Sequence, residues 1–389
     1  MINYCEIKGI VSAFDRAYKP DLKRFIRKTE DERPDIKDIK EMQEIQKIEK
    51  KQGKQEKQEK QEKQEKREKQ EGKANTLQDE ISNIVYEGEA QSILSYASCR
   101  LCPRQCRVNR LKGERGFCHA GSTMHIGRAA PHFWEEPCLS GSKGSGTIFF
   151  SYCSLSCVFC QNQRLSRGEI GEAISVEDLY RHFLNLEQLG CHNINLVTGE
   201  HYLPGILEAI RLAKHRGFPL PFVWNCSGYQ SREVLAECEG LIDIYLFDFK
   251  YIEEDTALRY SKAKDYPIRA KEALAECVRQ CPSLAYKGEI LQKGVILRHL
   301  LLPNQVYRAK KVLKYTYQEY GDNILYSLLR QYIPYGNLED YPEIARRVYG
   351  KEYEKWIAYA EDLGIQNAYI QEEESARESF IPEFTEEKI

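Results

Sequence analysis

The stretch Gly146-Thr-Ile-Phe-Phe-Ser-Tyr-Cys-Ser-Leu-Ser-Cys-Val-Phe-Cys160 carries the strongest signal in this chain. An apolar run typical of a buried strand leads into three cysteines, Cys153, Cys157 and Cys160, in a C-x3-C-x2-C spacing. Such a triplet can hold three irons of a [4Fe–4S] cubane and leave the fourth without a protein ligand, whereas clusters that only carry electrons are usually closed by four thiolates. A zinc loop and three reduced thiols are the alternative interpretations.

Composition excludes several classes of protein. The net charge of the 389 residues is −2, so no basic field favours nucleic acid, and no apolar run is long enough to span a bilayer. The first residues lack the basic start and apolar core of a signal peptide. Fourteen cysteines in such a chain predict a reducing cytoplasm, with metal binding or core thiols in place of disulfides.

The composition along the chain predicts five segments. Residues 44–75 are a low-complexity run of Lys, Gln and Glu that lacks apolar residues for a core, so it is either a solvated helix or disordered. Around it we expect an N-terminal segment of unknown role, a Cys-rich metal-binding module, a partial barrel and a helical C-terminal segment: 1–43, 76–145, 146–335 and 336–389.

Apolar, β-branched runs alternate with amphipathic stretches from Gly146 onward. The expected strands are Thr147–Ser151, Asn193–Thr198, Pro221–Asn225, Ile242–Phe249, Val295–Leu302 and Ile324–Ile333. The expected helices are Val176–Leu189, Leu203–His215, Ser231–Glu239, Arg269–Cys281 and Gln305–Tyr320. Ser175, with Asp178 three residues on, predicts an N-cap for the first helix. This alternation predicts an α/β fold with a parallel sheet, and six units fall short of the eight of a closed barrel.

A second cysteine group precedes the barrel. Its members are Cys99, Cys102, Cys106 and Cys118. Four thiolates at these spacings predict a second metal site, either a structural tetrahedral zinc or an auxiliary iron–sulfur cluster.

At the cysteine triplet the chain resembles the radical S-adenosylmethionine (SAM) superfamily, in which SAM chelates the open iron through its amino and carboxylate groups. Further stretches are similar to the branch related to pyruvate formate-lyase activating enzyme: Gly146–Ser151, Cys157–Asn162, Asp243–Tyr251 and Arg298–Pro303. The resemblance covers roughly residues 99–335. It implies an open, partial (β/α)6 barrel of the TIM type, with the chemistry where strands end and loops begin.

The resemblance also implies SAM-binding residues after the predicted strands. Phe159 matches a bulky residue near the adenine, and Gly199 and Glu200 resemble an element that binds the SAM amino group. Asn225 and Ser227 lie in a turn that resembles the Asp-Thr-Asn-Gly turn of activating enzymes. The alternative for Glu200 is a surface carboxylate in a turn.

Asp248 and Lys250 match the Asp-x-Lys motif of the same branch. Strand alternation places both side chains on one face, towards the barrel interior or its mouth. Because an isolated buried charge is very costly, the two residues need each other or a ligand, and a plain interior ion pair is the alternative.

Three residues depart from the pattern of the branch. Tyr152 and Trp134 stand where relatives usually have a small glycine, and both could narrow access to a cluster. Asn225 stands where activating enzymes have an aspartate that helps to hold a monovalent cation.

The resemblance implies a cytoplasmic radical SAM enzyme that uses a [4Fe–4S] cluster and SAM to abstract hydrogen from a protein or peptide, as in glycyl-radical enzyme activation. The expected partners are that substrate and a reductant such as flavodoxin or ferredoxin, with neither membrane nor nucleic acid. We assign no catalytic acid or base, because the cofactor carries the hard chemistry. The alternatives are a radical SAM enzyme acting on a small molecule, a non-catalytic iron–sulfur electron carrier and a zinc-stabilised binding module.

Overall fold

The computed structural model describes residues 92–371 and, near the N-terminus, the backbone of Ile2–Asn3. The predictions for segments 1–43 and 44–75 therefore lie outside the described residues, apart from that short strand. In the described part of the chain, no helix is both long and apolar enough to cross a membrane.

A mostly parallel sheet forms the centre of the protein. Its strands are β1 (Ile2–Asn3), β2 (Met124–His132), β3 (Ser145–Phe150), β4 (Glu172–Ile174), β5 (Ile194–Val197), β6 (Phe222–Cys226), β7 (Ile244–Asp248), β8 (Ala285–Lys287), β9 (Ile290–Leu300), β10 (Leu325–Leu329) and β11 (Ala368–Ile370). Their order is β1-β11-β10-β9-β7-β6-β5-β3-β2-β4, and β8 forms an antiparallel hairpin with β9. Strand β2 runs antiparallel to β3 and β4, and the other neighbours are parallel. The outermost strands in this order, β1 and β4, do not pair with each other, so the described sheet is open.

Helices connect the parallel strands. They are α1 (Pro137–Ser140), α2 (Gln163–Ser166), α3 (Val176–Gln188), α4 (Leu203–His215), α5 (Arg232–Ala236), α6 (Glu254–Ser261), α7 (Tyr266–Gln280), α8 (Val306–Tyr320) and α9 (Gly350–Asp362). The predicted N-cap of α3 is confirmed, because the Ser175 hydroxyl accepts from the Asp178 N–H and the Asp178 carboxylate accepts from the Ser175 N–H, each at 3.1 Å. Two backbone N–H donors at this helix start are therefore satisfied by the capping box.

Both faces of the sheet are buried, as is usual for parallel strands. One face packs on the helices through residues such as Trp224, Tyr245 and Leu297. On the other face, alternate residues surround Cys138 and Leu139 of α1: Val223, Ile244, Leu246, Ile296 and Leu325. The short helix α1 therefore packs into the interior of the partial barrel.

The predicted α/β fold with a mostly parallel sheet is confirmed. Each predicted strand and helix of the barrel is present, with boundaries shifted by a few residues. The structure adds five strands that the sequence did not reveal: β1, β2, β4, β8 and β11, of which β11 and β1 extend the series of parallel strands. Strand β2 lies inside the segment 76–145 that we assign to the Cys-rich module, and it pairs with β3 along most of its length.

Candidate functional site

A cavity of about 290 Å³ lies at the carboxyl ends of the parallel strands. Its wall combines the loop after β3, the ends of β5 to β7, β9 and β10, and the loop before α1. The three cysteines of the C-x3-C-x2-C motif all line it: Cys153, Cys157 and Cys160. Chemistry at this edge is what parallel α/β folds favour.

Hydrogen-bond donors are directed at the cysteine sulfurs. The Ser261 hydroxyl donates to Cys157 Sγ at 2.9 Å, and the Leu155 N–H donates to Cys153 Sγ at 3.4 Å. Burial raises the pKa of both thiols, while Lys250 acts to lower the pKa of Cys157. Three thiols on one wall, with donors that stabilise negative sulfur, fit the ligand set of a [4Fe–4S] cluster with one open iron.

The backbone explains why a glycine suits the position before the first cysteine. Tyr152 has φ 73°, in the left-handed region that favours glycine. Its N–H donates to the Leu165 carbonyl, and its ring packs directly over Gly168. Tyr152 does not line the cavity, whereas Trp134 does. Of the two aromatic departures, Trp134 is therefore the one that shapes the site.

An ion-pair network crosses the cavity wall. Lys250 Nζ donates to Asp248 at 2.7 Å, as strand alternation predicts for two residues on one face. The Arg298 guanidinium donates to Asp248 at 2.7 Å, to Glu135 at 3.1 Å and to Asn225 Oδ1 at 2.6 Å. Burial opposes the charge on Arg298, but the surrounding carboxylates outweigh it and raise its pKa. Asn225 therefore orients the arginine.

The other predicted SAM-binding residues lie at different distances from the cavity. Phe159 lines it, packed edge-on against Tyr332 at 5.9 Å between ring centroids, and Ser227 lines it too. Gly199 and Glu200 do not. The side chain of Glu200 is buried and accepts from the Ser154 hydroxyl at 2.6 Å, in the cysteine loop. The SAM-binding roles of these residues stay predictions.

The sequence did not reveal one part of the cavity wall, which we call the floor: Trp134, Glu135 and Glu136. The loop between β2 and α1 brings Trp134, Glu135 and Glu136 to the wall of the cavity, where both glutamates are buried and Trp134 is partly exposed. Two adjacent glutamates before a proline are typical of an exposed turn. The signal that could have located them is Arg298, which lies inside one of the resembling stretches and needs carboxylate partners when buried.

The four N-terminal cysteines line a second, much smaller cavity: Cys99, Cys102, Cys106 and Cys118. Arg110 lies beside them, 2% exposed, with its guanidinium 3.7 Å from Cys99 Sγ and 2.6 Å from the His201 carbonyl oxygen. No carboxylate of the described residues pairs with it. A buried cation needs a counter-charge, and thiolates at these cysteines would supply one.

The positions of these side chains do not identify a metal. Within residues 92–371, no three His, Cys, Asp or Glu side chains are grouped tightly enough to hold a single ion. All cysteines in the described part are free thiols. The four thiols nevertheless line one small cavity together. The second metal site stays a prediction.

Comparison with known proteins identifies the class of domain. Residues 147–303 match the family model of the radical SAM superfamily. An uncharacterized protein of Methanocaldococcus jannaschii, MJ0674, is 28% identical over 280 residues, which cover 70% of this chain and 77% of that protein.

Solved structures show partial similarity. Streptococcus suis SuiB bound to S-adenosylmethionine has 13% identity and a TM-score of 0.38, over 57% of this chain and 48% of that one. The FeFe-hydrogenase maturase HydG from Carboxydothermus hydrogenoformans has 13% identity and a TM-score of 0.39, over 55% and 50%. The chain thus spans about half the length of these two proteins. Similarity this partial bears on neither substrate nor partner.

Residues 147–303 therefore correspond to a radical SAM superfamily domain. Such a domain implies SAM-dependent radical chemistry with a [4Fe–4S] cluster and SAM as cofactors, and the three thiols of the cavity fit the cluster. The comparisons do not point specifically to the branch of pyruvate formate-lyase activating enzyme, and that assignment stays a prediction.

Proposed function

We propose that this protein cleaves SAM reductively at the cysteine loop and abstracts hydrogen from a protein or peptide substrate. The observation that carries the proposal is that the three cysteines share one cavity with Asp248 and Lys250. A [4Fe–4S] cluster with bound SAM would supply the electron that breaks the C–S bond and yields a 5′-deoxyadenosyl radical. A carrier such as flavodoxin or ferredoxin would deliver that electron in a reducing cytoplasm.

The residues of the cavity supply binding and orientation. Asp248 and Lys250 present opposite charges side by side, so the pair suits the zwitterionic amino-acid end of SAM. Phe159 offers an apolar face for the adenine, held between Tyr260 and Tyr332. The Tyr266 hydroxyl accepts from the Lys250 N–H and lies 2.8 Å from the Ser227 carbonyl oxygen, to which it donates, so it fixes the two strand ends together.

A small-molecule substrate is the second candidate. The volume of the cavity, about 290 Å³, is near the lower end of the range for ligand pockets. A substrate side chain or a small molecule would fit this volume better than a folded polypeptide segment.

We also propose that Cys99, Cys102, Cys106 and Cys118 hold a metal of their own. Besides Arg110, the support is Arg104, which stacks on Phe117 at 3.7 Å and ties this loop to the SAM-site cysteines. Its guanidinium donates to the carbonyl oxygens of Ser154 at 3.2 Å and of Lys262 at 2.6 Å. A metal here would therefore stabilise the loop that carries Cys153.

The test of SAM cleavage is 5′-deoxyadenosine formation by anaerobically reconstituted protein with dithionite. The parent protein should form it, Cys157→Ala should not, and Cys191→Ala, a buried thiol away from both cavities, should behave as the parent. Product formation by Cys157→Ala at the parent rate would contradict the proposal. A parent that holds its cluster but makes no product would favour an electron carrier or a binding module.

Elemental analysis of the Cys153/Cys157/Cys160 triple-alanine protein tests the second site. About four residual irons would indicate an auxiliary cubane, and about one zinc would indicate a structural site. Neither metal in folded protein would show that the four N-terminal cysteines are ordinary thiols.

A further inference from the structure

We propose that the floor of the cavity, formed by Glu136 beside Trp134, binds a cationic group of the substrate, either a primary ammonium or a guanidinium. The inference rests on the proposed function and adds the chemical class of the substrate. It assigns a binding residue outside the cysteine loop and outside the predicted SAM-binding set.

Glu136 is a buried acid with unused binding capacity. Its side chain is 3% exposed and lines the cavity, and its Oε2 has no hydrogen-bond partner. Buried polar groups in proteins are almost always satisfied, so an orphaned carboxylate oxygen on a cavity wall needs an explanation. A donor brought in by a ligand supplies one.

The neighbouring glutamate, Glu135, has protein donors for its carboxylate. Glu135 accepts from Arg298 at 3.1 Å and from the Asn195 side chain at 3.1 Å. The same loop therefore holds one glutamate already bonded to protein donors and one that lines the cavity while its Oε2 is buried without a partner.

The charge of the cavity favours a cation. Its wall carries three carboxylates and two cationic side chains: Glu135, Glu136, Asp248, Lys250 and Arg298. Burial lowers the pKa of His132 to about 4, so this side chain adds no charge near neutral pH. Burial also raises the pKa of Glu135 and raises the pKa of Glu136 to about 7, so Glu136 is only partly ionised near neutral pH, and a bound cation would favour its charged form.

Trp134 supports the same class of ligand. It lines the cavity beside the glutamates and is 44% exposed. An indole face attracts ammonium and guanidinium groups through its quadrupole, more strongly than any other aromatic side chain. Tryptophan in place of the small residue expected from the resemblance thus adds a cation-binding ring to the wall of the cavity that Glu136 also lines.

Glu136 is distinct from the predicted SAM contacts. The charges that most affect the pKa of Glu136 are those of Arg298 and Glu135. The charges that affect the pKa of Cys157, in the cysteine loop, include those of Lys250 and Asp248. A side-chain hydrogen bond from Ser327, in β10, also acts on the Glu136 carboxyl and acts to lower its pKa. The ligand at the floor should therefore bind together with SAM.

The test uses cluster-loaded protein with saturating SAM and no reductant, so that SAM stays intact. Saturation-transfer NMR titrations compare n-butylammonium and n-propylguanidinium with neutral n-butyramide and anionic butyrate. Either cation should bind about tenfold or more tightly than the amide, as expected for one charge-assisted contact. Equal binding of the cations and the amide by the parent protein would overturn the inference without any variant.

Two variants locate the contact. Glu136→Gln should raise the cation Kd about tenfold or more, and Trp134→Leu should raise it less; the exposed Glu237→Gln serves as the matched control and should leave it unchanged. The assignment would be overturned if folded Glu136→Gln bound the cation with the Kd of the parent. It would also be overturned if this variant lost as much affinity for SAM as for the cation. The parent's 5′-deoxyadenosine assay is separate, so its failure would count against the proposed function and not against cation binding.

Discussion

Replacing Arg298 with methionine should destabilise the protein by about 3–5 kcal/mol at pH 7, the usual cost of removing one partner from a buried ion pair. The guanidinium side chain is 16% exposed and joins Asp248, Glu135 and Asn225 from three separate elements. Methionine keeps most of the chain length, but it leaves the buried Glu135 without its cation and the half-buried Asp248 with Lys250 alone. Urea unfolding, followed by circular dichroism and by tryptophan fluorescence, measures the difference.

The matched control is Arg181→Met. Arg181 pairs with Asp178 at 2.9 Å on the surface of α3, with side chains 62% and 43% exposed. Such a helical surface pair contributes only about 0.2–0.5 kcal/mol. If Arg298→Met costs no more than this control, the network does not stabilise the site and the reasoning is refuted.

The loss of unfolding free energy caused by Arg298→Met, relative to the parent, should be smaller at pH 5 than at pH 7. Burial raises the pKa of Asp248, but Arg298 and Lys250 outweigh burial and the net shift is downward. A carboxyl with a lowered folded-state pKa stabilises the protein above its unfolded pKa of about 3.9 and loses that contribution below it, so the parent keeps it at pH 5. In Arg298→Met, Glu135 loses its cation and Asp248 keeps only Lys250, so both carboxyls take up protons more readily than in the parent. A cost that grows as the pH falls would contradict this account.

Three further predictions concern two loop glycines, the SAM-binding residues and the low-complexity segment. Gly228→Ala should destabilise the protein by about 1–3 kcal/mol in thermal unfolding, because φ is 79° and a Cβ would overlap the Asp248 carbonyl oxygen. The control is Gly240→Ala, where φ is 73° but a Cβ would meet open space, so only backbone strain of about 1 kcal/mol is expected. Asp248→Asn should weaken SAM binding by about 1.5–3 kcal/mol in equilibrium dialysis, and Glu200→Gln, which lies off the cavity, should weaken it less; the reverse order would place SAM elsewhere. Deleting residues 44–73 should leave iron content and SAM cleavage at parent values, and a loss of iron would show that the segment supports the barrel.

The sequence predicted the parts of the fold that depend on local periodicity. Alternating apolar runs located the barrel strands, and the same alternation placed Asp248 and Lys250 together on the cavity wall. The floor could not be predicted in this way, because the burial of Glu135 depends on Arg298, 163 residues away along the chain. Glu200 follows its strand as expected, but a 3-10 turn over residues 200–202 directs its side chain to Ser154, and strand periodicity does not extend through such a turn.

The central claim is that Cys153, Cys157 and Cys160 hold a cluster with one iron open to SAM. The most direct measurement is the electron paramagnetic resonance spectrum of the dithionite-reduced protein with and without SAM. The account predicts a [4Fe–4S] signal that changes on SAM addition and is lost in the triple-alanine protein, apart from any signal of a second cluster, which SAM should leave unchanged. A fully loaded cluster whose spectrum SAM does not alter, or a SAM-responsive signal that survives the loss of all three cysteines, would contradict it.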